Sequence, residues 1–213
     1  MPFDFLKRKK APDGADVTPA AAPVQEGIQF EGLTEEWRLL GRMVIPGRMS
    51  DALNKREPIP IVDVQWAPID DSEALAPAPG LKSVDPYDLV IVLAGGDTLA
   101  GMTEEERAAH RVHKVSYEVA IEVPPYRVIG TVYLHPGSEP DSLLSRSSEM
   151  FVPIVAATAM MGETRVGPDT ASAVLVNRQY IRGVEQVDVR TGERHQKLPG
   201  SSMGGTNWTD RAR

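Results

Sequence analysis

The sequence contains no cysteine. That absence excludes disulfides, thiol nucleophiles and cysteine-ligated metals. Aromatic residues make up only 6% of the chain, so a core has to be built mainly from aliphatic side chains. Basic residues are the minority: 23 Lys and Arg stand against 30 Asp and Glu, a formal net charge of −7. A broad nucleic-acid-binding face is usually basic, because neutralised phosphates supply its affinity. The balance here speaks against nucleic acid as a partner. No apolar run approaches the roughly 18 residues of a membrane-spanning helix. The opening MPFDFLKRKK places its charges after its apolar residues and has no long apolar stretch, unlike a secretory signal. The expected location is cytoplasmic.

What the 213 residues do have is turn formers, 18 Gly and 18 Pro. Many fall near the ends. Residues 11–27, APDGADVTPAAAPVQEG, and residues 191–213, TGERHQKLPGSSMGGTNWTDRAR, are small, polar and aperiodic. Such composition predicts a disordered N-terminal arm over 1–28 and a disordered tail over 191–213. At the tip of the arm, Phe3, Phe5 and Leu6 precede Lys7, Arg8, Lys9 and Lys10. The apolar groups can insert into an interface. The cations contribute roughly 1 kcal/mol each near an anionic surface. The arm is therefore expected to contact an acidic partner or the inner face of a membrane.

Between the ends the chain says one thing twice. Trp37-Arg38-Leu39-Leu40-Gly41 lines up with Tyr126-Arg127-Val128-Ile129-Gly130. Pro46-Gly47 follows in the first phrase and Pro136-Gly137 in the second. Asp51 and Leu53 match Asp141 and Leu143, Arg56 matches Arg146, and Pro60-Ile61-Val62 matches Pro153-Ile154-Val155. A shared order of matches is the mark of an internal duplication.

Each phrase reads as a strand ended by a Pro-Gly turn, one capped helical turn and a second strand. Gly41 and Gly130, inside strands, predict a bulge or bend. Asp51 and Asp141, just before a leucine, predict N-caps, and Leu53 and Leu143 predict core plugs. Pro60 and Pro153 place the second strands at an edge or a bulge. A third strand is expected at Asp88–Leu93 and Ala173–Asn177, and a closing strand at His113–Val123 and Tyr180–Val189. VPPY, Val123–Tyr126, is expected to hinge the halves. The predicted fold class is mainly β: two tandem small bent β-barrel modules, 29–123 and 124–190, each about four strands plus one helical turn, between disordered tails.

The segment VLVNRQYIRGVEQVD, Val174–Asp188, resembles the last two strands of an Sm-like or SH3-like barrel, joined by a tight turn. The resemblance implies a small barrel. It does not transfer an RNA pocket, since the polar and aromatic loop residues that would read RNA have no match here.

Chemistry-bearing patterns are thin. His110 and His113 could share a helical face, but two imidazoles fall short of the three or four ligands a metal needs. LAGGDTLAG, Leu93–Gly101, lacks the lysine and spacing of a phosphate loop. No serine sits in a nucleophile motif. Met43, Met49 and Met150 read as core filler. Arg38 and Arg127, equivalent in the alignment, could line a shared groove between the halves. No catalytic residue, cofactor, metal or small-molecule substrate is expected. The leading expectation is a non-enzymatic interaction or assembly module, binding a protein partner or itself. The rival is a nucleic-acid or nucleotide binder acting through an Sm-like barrel.

Overall fold

In the computed structural model the described residues are 27–71, 74–94, 114–145, 149–188 and 190, with side chains for all of these except 168–170. The expected strands form wherever apolar residues alternate or run together. The described strands are β1 (Ile28–Leu33), β2 (Trp37–Met43), β3 (Ile59–Pro68), β4 (Ala76–Pro77), β5 (Ser83–Val84), β6 (Ile91–Ala94), β7 (Val115–Val123), β8 (Tyr126–Leu134), β9 (Phe151–Met161), β10 (Thr164–Asn177) and β11 (Gly183–Gln186). The described helical elements are α1 (Met49–Asn54) and four 3-10 turns, including Pro86–Asp88, Pro140–Leu144 and Arg178–Tyr180. The fold is mainly β, as the pattern predicts.

All pairings are antiparallel, and the strands form one open sheet in the order β11-β7-β8-β9-β10-β6-β1-β2-β3-β4, with β5 also on β3. Among the described strands the path does not close on itself. One core gathers Val119, Ile121, Val128, Ile154 and Val174 with Leu33, Ile91 and Leu93 from the N-terminal half. The other gathers Phe30, Leu39, Met43 and Leu53 with Phe151 and Leu175 from the C-terminal half. Each core therefore borrows from the other half.

Several local expectations hold. Leu53 and Leu143 are fully buried plugs, and Met43, Met49 and Met150 fill the core. The ladders slip between Leu40 and Arg42 and between Ile129 and Thr131, so the bulges fall at Gly41 and Gly130. Across from them, Asp63 (φ 52°) and Ala156 (φ 49°) take up the extra residue in a left-handed conformation. Gly47 and Gly137 turn with φ of 95° and 86°. At Gly130 the reason for glycine is room: an added Cβ would lie 2.8 Å from the Ala157 Cβ.

Other expectations are corrected. His113–Val123 does not close the N-terminal half: β7 pairs with β8 and β11. The closing role belongs to β6, which overlaps the expected third strand and pairs with β1. VPPY is the turn of the β7–β8 hairpin and not a hinge between halves. Asp51 and Asp141 do not cap. The N-cap positions are Arg48 and Glu139, neither with a capping side-chain hydrogen bond, and the aspartates stand inside the first turn. For Pro153 the bulge alternative holds and the edge alternative does not: β9 lies between β8 and β10, and its ladder to β8 slips at Gly130. The proline is tolerated because the β8–β9 ladder ends at Thr131–Val155, before it is reached.

The registers of the two halves coincide. Phe30 faces Gly41 as Val119 faces Gly130, and Leu33 faces Arg38 as Glu122 faces Arg127. Ile59 faces Val84 as Val152 faces Val176. Next, Asp85 accepts from the Tyr87 N–H at 2.9 Å and Asn177 from the Gln179 N–H at 3.0 Å, each opening a 3-10 turn. Then β6 pairs with β1 through Ile91–Leu33, and β11 with β7 through Gly183–Glu122. By these registers Ile91–Ala94 answers to Gly183–Gln186, and Leu81–Val84 to Ala173–Val176.

Candidate assembly interface

The halves meet where β6 pairs with β10: Ile91 faces Val176, Val92 faces Leu175, Leu93 faces Val174 and Ala94 faces Ala173. All four β6 residues are buried, which is why this stretch is uninterruptedly apolar. Polar side chains fasten the seam. Asn177 is fully buried, its Nδ2 donating to the Leu89 carbonyl at 2.8 Å while its backbone N–H donates to the Val90 carbonyl at 3.0 Å. Its cap to Gln179 uses the remaining oxygen, so this buried amide is satisfied.

At the flank of the seam, Asn54 at the end of α1 reaches β9. Its Oδ1 accepts from the Phe151 N–H at 2.8 Å and its Nδ2 donates to the Phe151 carbonyl at 3.4 Å. The side-chain amide thus pairs with a strand terminus as another strand would. At the far end the Tyr126 hydroxyl donates to the Thr34 carbonyl. Burial holds the Tyr126 hydroxyl well above the ordinary tyrosine pKa, because its charged form would lose water without a compensating cation. Tyr180 donates to the Tyr87 carbonyl at 3.1 Å, and burial raises its pKa as well, with Glu35 and Asp88 adding to the effect.

The outer ends of the sheet differ from the seam. Trp37 stacks on Trp66 with ring centroids 4.5 Å apart, and Trp66 is 41% exposed. Trp37 holds the register position that Tyr126 holds in the other half. A groove of about 500 Å³ runs between β3 and the Pro77–Lys82 segment, lined by Ile61, Asp63, Val64, Gln65, Leu81 and Lys82. At the opposite end, β11 is half-buried throughout and pairs only with β7 among the described strands.

The expected site residues fall as follows. Phe3, Phe5, Leu6, Lys7, Arg8, Lys9 and Lys10 lie outside the described residues, as do His110, His113 and most of the loop after Leu93. Arg38 Nε lies 2.8 Å from Glu31 Oε1 on β1. Arg127 Nε lies 3.0 Å from Glu122 Oε1 on β7, and its Nη2 lies 4.0 Å from Glu185 Oε2 on β11. Four strands stand between β2 and β8 in the sheet order, and each arginine pairs with a neighbouring strand's glutamate. No cluster of three metal-ligating side chains occurs among the described residues, and none of their helices is long and apolar enough to cross a membrane.

The residues that make the seam, Asn54, Tyr126 and Asn177, carry no motif. One signal was legible for Asn177: Asp85 and Asn177 each follow a strand and precede a tight turn, where an Asx side chain caps its own backbone. No protein family, curated protein or solved structure matches this chain.

Proposed function

We propose that the chain is a non-enzymatic assembly module made of two related units, each an SH3-like path of five strands, joined edge to edge. The order β6-β1-β2-β3-β5 and the order β11-β7-β8-β9-β10 support this reading, since both put the last strand beside the first. The duplicated phrases supply the same order in sequence. The observation that carries the proposal is the β6–β10 ladder, an apolar strand-to-strand seam between elements of different units. Strand addition of this kind gives affinity through main-chain hydrogen bonds and specificity through alternate side chains. On this reading the aromatic-basic arm, Phe3 to Lys10, is a second and separate contact, assigned on composition alone.

The test is separation and reunion. Residues 27–113 and 114–190, coexpressed with a tag on one piece, are expected to copurify in a one-to-one complex. Leu93→Asp, in the middle of the seam, is expected to abolish that complex. Pieces that stay apart at native expression would mean that the seam holds only by covalent continuity, and the assembly reading would fall.

A further inference from the structure

The seam uses one closing edge and one fourth-strand edge, and the same two kinds of edge recur unpaired at the ends of the described sheet. We infer that copies of this chain associate head to tail, β11 of one adding to β5 of the next in the register of the internal β6–β10 ladder. The inference rests on the two-unit reading above and deepens it by naming the partner as a second copy.

Transferring the internal register residue by residue gives the pairs. Leu93 faces Val174 inside the chain. Their equivalents are Glu185 and Lys82, so the transferred ladder sets an acid directly opposite a base. Lys82 is exposed and the Glu185 side chain is 28% exposed. Opposite charges across a ladder stabilise it and like charges oppose it. Val92–Leu175 becomes Val184–Ser83, Ile91–Val176 becomes Gly183–Val84, and Ala94–Ala173 becomes Gln186–Leu81. None of Leu81, Lys82, Ser83 and Val84 is proline; the Leu81 N–H already donates to the Ala78 carbonyl at 3.0 Å, so the transferred ladder relies on the N–H groups nearer Ser83. The neighbouring Pro77 and Pro79 lie outside the transferred ladder.

The flank agrees independently. Inside the chain, Asn54 pairs with the backbone of Phe151. Aligning Leu53 with Leu143 makes Leu144 the equivalent of Asn54. Aligning Pro60 with Pro153 makes Pro58 the equivalent of Phe151. Leu144, 44% exposed, is the most exposed large apolar side chain described, and Pro58 is exposed too. A proline has no N–H for an asparagine to accept from, so an apolar residue is the fitting partner. At the third contact, the first unit's Thr34 covers Tyr126. Trp37, the equivalent of Tyr126, sits in the open stack with Trp66. The hairpin turn at Val123–Pro124, the equivalent of Thr34–Glu35, would cover it in the next copy. One operator therefore accounts for the exposure of Trp66 at one end and Leu144 at the other. An interface of this kind is heterologous and continues until it closes into a ring or runs on as a fibre.

The test is sedimentation of the full chain over a concentration series, with charge variants. The wild type is expected to associate beyond a dimer. Lys82→Glu and Glu185→Lys are each expected to weaken association about tenfold, and the double variant is expected to restore it. In an equimolar mixture of the two single variants each kind of chain meets the other across opposite charges at both ends, so mixing is expected to restore association beyond a dimer, as the double variant does. Glu185 also lies near Arg127, so Lys82→Glu, on an exposed side chain, keeps the test valid if Glu185→Lys disturbs folding. A wild type that stays monomeric at its highest soluble concentration overturns the inference. So does a dimer weakened by Glu185→Lys and indifferent to Lys82→Glu, which is the behaviour of β11 paired with itself. Copurifying pieces together with a monomeric full chain would sink this inference and leave the two-unit reading standing.

Discussion

β6 and β11 hold the same place in the two halves and differ in every neighbour beyond it. Both follow a 3-10 turn capped by an Asx side chain, and both pair with the first strand of their half. On its other edge β6 meets β10, and all four residues, Ile91-Val92-Leu93-Ala94, are buried. On its other edge β11 meets no described strand, and Gly183-Val184-Glu185-Gln186 is half-buried throughout. Strand composition thus records how many faces and edges are covered, more than the role the strand plays within its unit.

The comparison can be broken by putting one charge in both places. Val92→Asp places a carboxylate where no water reaches, and is expected to cost about 4 kcal/mol or more. Val184→Asp, at the matching half-buried site, is expected to cost about 1 kcal/mol. Urea denaturation at low protein concentration measures both, and equal losses would erase the distinction between the strands.

The two bulges make a second paired test. Gly130→Val forces a branched side chain against Ala157 and Ile154, where a Cβ alone would lie 2.8 and 2.9 Å from its neighbours. The expected loss is about 3 kcal/mol. Gly41 is less crowded, its nearest atom being the Val62 carbonyl oxygen at 3.1 Å, so Gly41→Ala is expected to cost less than Gly130→Ala by thermal denaturation. Ser138→Val, on the turn after Gly137, is expected to leave the melting temperature nearly unchanged.

The capping pair sharpens the account further. Asn177→Ala removes a cap and leaves the Leu89 carbonyl without its amide donor inside the seam, an expected loss of about 2 kcal/mol. Asp85→Ala removes an exposed cap and is expected to cost about 1 kcal/mol or less. The smallest effect is a pH dependence. Folding raises the Tyr126 pKa by burial, so the folded state holds the proton more tightly than the unfolded chain. The stability linked to it is present below the unfolded tyrosine value of about 10 and declines as pH rises above that value. Tyr126→Phe is expected to remove that alkaline component, read as a flatter stability curve above pH 10.

Much of the fold was legible because its devices are local. Gly47, Gly137 and the bulge glycines announced turns and bends. Leu53 and Leu143 announced plugs because an apolar residue inside a polar turn has few other uses. The Ile28–Leu33 strand also had an alternating signal, Ile28 and Phe30 against Gln29 and Glu31, but it directly follows the low-complexity arm. What the sequence hid was partnership. Leu89–Leu93 is apolar on both faces, and such a run fits the expected third strand as well as a closing one. Only pairing with β1 decides it. For the same reason His113–Val123 looked like the closing strand of the first half when its ladders place it between β8 and β11. The seam residues were the least visible. Asn54 and Asn177 act on backbone groups about 90 residues away in sequence, a relation no spacing encodes.

A seam that recurs between chains can be trapped covalently, because the chain has no cysteine of its own. Residues opposite each other on adjacent strands have Cα atoms close enough for a disulfide. The double variant Lys82→Cys, Glu185→Cys, oxidised at a concentration where the chain associates, is expected to give a ladder of covalent multimers on non-reducing gels. Either single cysteine variant is expected to remain unlinked. Linked dimers from Glu185→Cys alone, or an unlinked double variant under conditions where the protein sediments as an oligomer, would contradict the account.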